Sequence, residues 1–166
     1  MTTAPIETGV TTPRPCFPRE LIASPLFLLA RLGFSIKTQT MDAFEASGFS
    51  GYDYSVLALL DEGTRETQAT IADALQLDRS QLVGLLDHLE ERGLIERKRD
   101  LKDRRRHVVS LTADGKRQLG KFRSIVKQIE EEVLAPLSDD ERAALHDLLL
   151  RIAKHRDARF VTDNGS

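Results

Sequence analysis

The sequence predicts a mainly α-helical fold carrying one small β-hairpin, and three observations predict it. Apolar residues recur at helical spacing along most of the chain, most regularly at Leu82, Leu85, Leu86 and Leu89. The period changes to alternation at residues 94–99 and 106–111, where LIERKR and RHVVSL flank a short charged loop. Residues 92–107 hold eight Lys/Arg against three Asp/Glu in a chain whose net charge is −2, so one basic segment stands on an otherwise acidic body. The 166 residues, 40% hydrophobic and 30% charged, suit one globular core with an added oligomerisation element. The single cysteine, Cys16, excludes a disulfide framework and a multi-thiolate zinc site. No apolar run reaches membrane-spanning length, and the first twenty residues lack the apolar stretch of a secretory signal. A cytoplasmic protein with no membrane partner is expected.

Residues 1–23 contain four of the six prolines and little apolar content, which reads as a mobile N-terminal arm. Ser24 and Pro25 are an N-cap and a first helical residue, opening a helix that Gly48 stops. Its apolar residues (Leu26, Leu29, Phe34, Ile36, Met41 and Phe44) are too spread for one core stripe, so residues 24–48 suit a helix that also packs on a partner chain. A second helix spans residues 53–61 and ends at Gly63; a third begins after Thr67 and turns at Leu77 and Asp78. The fourth covers residues 79–92 and ends at Gly93. After the hairpin, Thr112 caps a long helix whose stripe is Leu119, Phe122, Val126, Ile129 and Val133, spaced like a coiled-coil seam. Ser138 and Glu141 form a capping box for a last helix bearing Leu145, Leu148, Leu149 and Ile152.

Two short helices joined by a tight turn and followed directly by a basic hairpin make a winged helix-turn-helix. Ile71, Ala72, Leu75, Leu77 and Leu82 stand where the two helices must press together. The second is the groove-entering element, which makes Arg79, Ser80, Gln81, Gly84 and His88 candidate DNA contacts, with Thr67 and Gln68 at the start of the first. Gln81 is either a reader of bases or the capping-box partner of Asp78. The wing offers Arg97, Arg99, Lys102, Arg104, Arg105 and Arg106 to the phosphate backbone and minor groove of double-stranded DNA. None of the phosphate-loop, dinucleotide, nucleophile-elbow or zinc-protease motifs occurs, so no catalytic residue, cofactor or metal site is expected. A winged module that binds protein would more often lack the basic hairpin tip.

The run DRSQLVGLLDHLEERGLIERKRDLKDRRRHVVSLTADG resembles the MarR family of bacterial regulators. The features that carry the resemblance are Asp78-Arg79-Ser80, Leu89-Glu90, Arg92-Gly93-Leu94-Ile95, the wing tip Asp103-Arg104-Arg105, and Leu111-Thr112 with Gly115. It implies a homodimer on a near-palindromic operator, with residues 24–48 and 113–160 as dimerisation helices and residues 53–112 as the DNA-binding lobe. Leu119, Phe122, Val126, Ile129 and Val133 are expected to be both core and dimer seam, a seam that Leu145, Leu148, Leu149 and Ile152 continue. Arg105 maps to the wing arginine of the minor groove, although three consecutive arginines leave Arg104 and Arg106 open, and Asp103 holds the tip together. The resemblance further implies a repressor released by a small phenolic or otherwise lipophilic effector, with Phe34, Tyr52 and Tyr54 as candidate pocket residues. Gly84 departs from the pattern, since many relatives carry a larger or basic side chain there. Cys16 lies upstream of the position at which some relatives sense peroxides, and no redox role is expected of it.

Overall fold

The computed structural model describes residues 16–63, 66–99 and 107–160, which divide into two compact units, one ending at Ser35 and one beginning at Ile36. In the first unit, a single turn α1 (Arg19–Ile22) follows Pro18 and falls within the segment expected to be an arm. The Phe17 ring meets Phe27 edge-on at 5.2 Å between centroids, and the Arg31 guanidinium lies 5.7 Å from its centre, which gives this turn local partners. The helix α2 (Pro25–Ala46) opens where the Ser24 Oγ accepts from the Phe27 N–H, as its sequence predicts. It ends at Gly48, whose φ of 76° favours a residue without a Cβ.

In the second unit, α3 (Gly51–Glu62) starts two residues earlier than its sequence suggested, because Ser50 and Asp53 form a capping box. The Asp53 carboxylate is buried and accepts from the Ser50 N–H at 2.6 Å and the Ser50 hydroxyl at 2.8 Å. Strand β1 (Glu66–Thr67) leads into α4 (Gln68–Leu75) and α5 (Arg79–Glu91), followed by β2 (Ile95–Arg99) and β3 (His107–Leu111). The sheet order is β1-β3-β2, all antiparallel, with Arg97 opposite Val109 and Glu66 also opposite Val109 on the other edge. A two-residue strand carries no readable period, so β1 escaped the sequence. The long helices α6 (Ala113–Val133) and α7 (Asp139–Arg156) then follow, capped by Thr112 and by the Ser138–Glu141 box.

The core gathers Phe44 from α2, Val56, Leu57 and Leu60 from α3, Ile71 from α4, Leu82, Leu86 and Leu89 from α5, Ile95 and Val109 from the hairpin, and Leu119 and Phe122 from α6. Aromatic rings knit its centre. Phe122 meets Phe44 at 5.2 Å and Phe49 at 5.0 Å, both edge-on, while Tyr54 stacks on Phe44 at 5.7 Å. The DNA-binding lobe expected at residues 53–112 therefore shares its core with α2 and α6.

Candidate nucleic-acid interface

Leu82, Leu86 and Leu89 bury one face of α5, and that burial sets which residues point outward. The helices α4 and α5 meet across a tight turn in which Gln76 adopts a left-handed conformation, φ 52°. Thr67 caps α4, accepting from the Thr70 N–H at 3.2 Å while its own N–H donates to the Thr70 hydroxyl at 2.9 Å. Asp78 caps α5: its Oδ1 accepts from the Gln81 N–H at 2.8 Å and the Ser80 hydroxyl at 2.7 Å. These donors, the Gln81 N–H first, hold the Asp78 carboxyl below its ordinary value. The Gln81 Oε1 accepts from the Asp78 N–H at 3.3 Å, so the side chain completes the capping box. The alternative left open by the sequence thus resolves toward capping for the carbonyl end, and the amide nitrogen remains as a donor.

A concave cleft of about 630 Å³ opens beside these two caps. Thr67 lines it as the cap of α4, Gln68, Thr70 and Asp73 from α4 itself, Arg79 and Val83 from α5, and His107 from the loop end of β3. The first turns of two helices thus share a surface with one guanidinium and one imidazole, groups suited to phosphate, and with the Asp73 carboxylate. Arg79 and Ser80 are exposed on it. Gly84 lies on the exposed side of α5, and a Cβ built there would meet nothing within 4 Å.

Two expected contacts are placed elsewhere. Arg97 does not extend to solvent: its Nε donates to Glu90 at 2.8 Å, its terminal nitrogen pairs with the same carboxylate, and that nitrogen lies 2.6 Å from Asp87 Oδ1. Only 21% of the side chain is exposed. The paired charges shift both groups toward their ionised forms, Arg97 upward chiefly through Glu90, and Glu90 downward chiefly through Arg97. His88 is half-buried and meets the Phe49 ring edge-on at 6.0 Å, turned to the side of α5 that packs on the loop before α3. Arg99 is exposed at the end of β2. Lys102, Asp103, Arg104, Arg105 and Arg106 lie outside the described residues.

The expected dimer seam separates into two populations. Leu119 and Phe122 are fully buried in this chain's own core, because the first half of α6 packs against α3. They are core residues. Val126, Ile129 and Val133 line a small apolar groove of about 290 Å³ with Ile36 and Thr40 of α2. On α7, Leu145 is half-buried, whereas Leu148, Leu149 and Ile152 are 50%, 40% and 52% exposed. Of the candidate pocket residues, Tyr54 is committed to the aromatic cluster, Tyr52 is exposed, and the exposed Phe34 has the Arg31 guanidinium 6.0 Å from its ring centre. Neither tyrosine lines the apolar groove. Sequence reasoning missed Asp87 and Glu90, whose signal is their i, i+3 spacing on a helix that ends just before a basic strand. Among the described residues there is no cluster of three or more His, Cys, Asp or Glu able to hold a metal, and no helix long and apolar enough to cross a membrane.

A model of the MarR family matches residues 52–107. A putative transcriptional regulatory protein for the hcr operon of Thauera aromatica is 30% identical over 133 residues, which span 75% of this chain and 80% of the relative. A transcriptional regulator of the MarR family from Rhodococcus sp. RHA1 superimposes with a TM-score of 0.66 at 33% identity, covering 76% of this chain and 90% of that one. CouR from Rhodococcus jostii RHA1, solved bound to p-coumaroyl-CoA, superimposes with the same TM-score at 32% identity, covering 82% and 96%.

Proposed function

This chain belongs to the MarR family of winged helix-turn-helix transcriptional regulators, which are not enzymes, and from that premise we propose that it binds a near-palindromic operator as a homodimer and represses until a small ligand releases it. The observation that carries the DNA-binding part is the cleft beside the caps of α4 and α5, where Thr67, Gln68, Arg79 and His107 converge. Helix α5 enters the major groove, α4 seats a phosphate at its first turn, and the hairpin reaches the neighbouring minor groove with its basic tip. Counterion release by the basic residues supplies salt-dependent affinity, and base edges facing α5 supply sequence preference.

The exposed apolar residues of α2 and α7 support the dimer. Leu26 is 77% exposed, and Leu148 and Ile152 are each at least half exposed, more apolar surface than an isolated helix usually leaves in water. The apolar groove between α2 and α6 supports the effector, since a flat lipophilic group suits its lining of Ile36, Val126, Ile129 and Val133. CouR, with its acyl-CoA ligand, supports the same reading by similarity.

Selection of bound duplexes from a random pool at fixed salt tests the proposal. A near-palindrome with half-sites about ten base pairs apart is the expected product. Recovery of no motif, with binding that disappears as salt rises, would reduce the interface to nonspecific attraction.

A further inference from the structure

The chain has a basic hairpin and a groove-facing helix, and the sequence offers no reason for the two to hold a fixed angle. The structure supplies one. Strand β2 is an edge strand of the sheet, and among the described residues one side of it has no partner strand. On that strand the Arg97 N–H donates to Glu90 Oε1 at 3.1 Å, while the Arg97 guanidinium engages Glu90 Oε2 through two nitrogens and Asp87 Oδ1 through one. Glu90 and Asp87 sit three residues apart on one face of α5. A single carboxylate thus holds both the main chain and the side chain of the same hairpin residue. Two guanidinium nitrogens converge on Glu90 Oε2 while Oε1 takes the main-chain N–H, so the carboxylate fixes the direction of the residue as well as its distance.

We propose that Arg97, Glu90 and Asp87 form a positioning clamp that sets the wing against the recognition helix, so that both meet one DNA half-site without prior reordering. This rests on the reading of the chain as an operator-binding protein. Two carboxylates surround the Arg97 charge, so the residue is committed to the protein rather than to phosphate. Its contribution to binding is the ordering that the hairpin no longer undergoes on the DNA. A clamp and a phosphate contact make opposite predictions for Glu90. Removing a negative charge near DNA would by itself tighten binding, whereas opening the clamp weakens it.

The test compares wild type, Glu90→Gln, Arg97→Gln and the double variant on the selected operator across a salt series, with Asp87→Asn as a milder variant that removes one ion pair only. The clamp predicts a loss of about tenfold in operator affinity for Glu90→Gln. It also predicts an unchanged slope of affinity against salt and a double variant no weaker than the worse single one. Asp87→Asn should show a smaller loss in the same direction. Affinity that is unchanged or raised in both Glu90→Gln and Asp87→Asn, or a salt slope reduced by about one in Arg97→Gln, overturns the clamp and assigns Arg97 to phosphate. Hydrogen exchange of the hairpin amides in the free protein reads the clamp without DNA. Faster exchange in Glu90→Gln is expected, and equal exchange refutes it. If the wild type selects no operator, the DNA reading fails on its own, and the exchange result still decides whether the hairpin is held.

Discussion

Gly115 faces the main-chain carbonyl of Leu94 so closely that a Cβ on it would overlap the Leu94 oxygen and stand 2.8 Å from Leu111 Cδ1. The contact joins the first turn of α6 to the residue that precedes β2. Thr112 completes the junction: its hydroxyl donates to the Gly93 carbonyl at 2.7 Å and accepts from the Gly115 N–H at 3.0 Å, and its own N–H donates to the Leu94 carbonyl. Backbone atoms cannot swing aside as a flexible side chain would. Gly115→Ala should therefore destabilise the protein by about 1–3 kcal/mol as an overpacking change, with a larger effect if α6 is forced off the hairpin. Thr112→Ala should cost about 1 kcal/mol through the lost cap. Urea unfolding followed by circular dichroism measures both, and a neutral Gly115→Ala would show that the junction has room.

The division of α6 and α7 between core and surface predicts two separable phenotypes. Phe122 is fully buried among Phe44, Phe49 and Tyr54, so Phe122→Ala should cost about 3–5 kcal/mol at any protein concentration. Leu148 and Ile152 are exposed on α7, and their joint replacement by Asp should leave the folded chain intact while shifting the species seen in sedimentation toward monomer. If the Asp pair leaves the sedimenting species unchanged, α7 is not the interface.

Much of this architecture was legible because local rules and tertiary packing agree. The Ser24-Pro25 start, the Thr67, Asp78, Thr112 and Ser138 caps, and the leucine face of α5 all stand where the spacing put them. What could not be read concerns which surface a residue meets. The stripe from Leu119 to Val133 has one period whether its partner is α3 of the same chain or a helix of another, so spacing alone does not divide the core residues Leu119 and Phe122 from the groove-lining Val126, Ile129 and Val133. Arg97 belongs to a run of basic residues that composition treats alike, and only the fold brings Glu90 and Asp87 to it. The Ser50–Asp53 box went unread because Asp takes the place usually held by Glu or Gln.

The cap of α5 makes a pH prediction. The Asp78 carboxyl is held below its ordinary value of 3.8 by the Gln81 N–H first and the Ser80 hydroxyl second. A carboxylate whose folded value is depressed stabilises fully above its unfolded value, and that contribution is lost as pH falls through the folded one. Asn caps a helix about as well without titrating. The melting temperature of wild type should accordingly fall more steeply than that of Asp78→Asn as pH drops from about 5 toward 2. Parallel curves would show that the Asp78 carboxylate makes no net ionic contribution to the start of α5.

Gly84 offers the sharpest test of how α5 approaches DNA. Within the chain nothing requires a glycine there: it has ordinary helical geometry on the exposed side of α5, and a Cβ would meet no atom within 4 Å. Glycine nonetheless costs about 1 kcal/mol against Ala inside a helix. The open space at Gly84 leaves room for an external surface to approach α5 closely. Gly84→Ala should therefore raise stability by about 0.5–1 kcal/mol while lowering affinity for the selected operator. The two effects move in opposite directions, so a misfolded variant cannot imitate the result. A stabilised variant with unchanged affinity would place the DNA away from Gly84 and leave base reading to the first turn of α5, where Arg79, Ser80 and the Gln81 amide face outward.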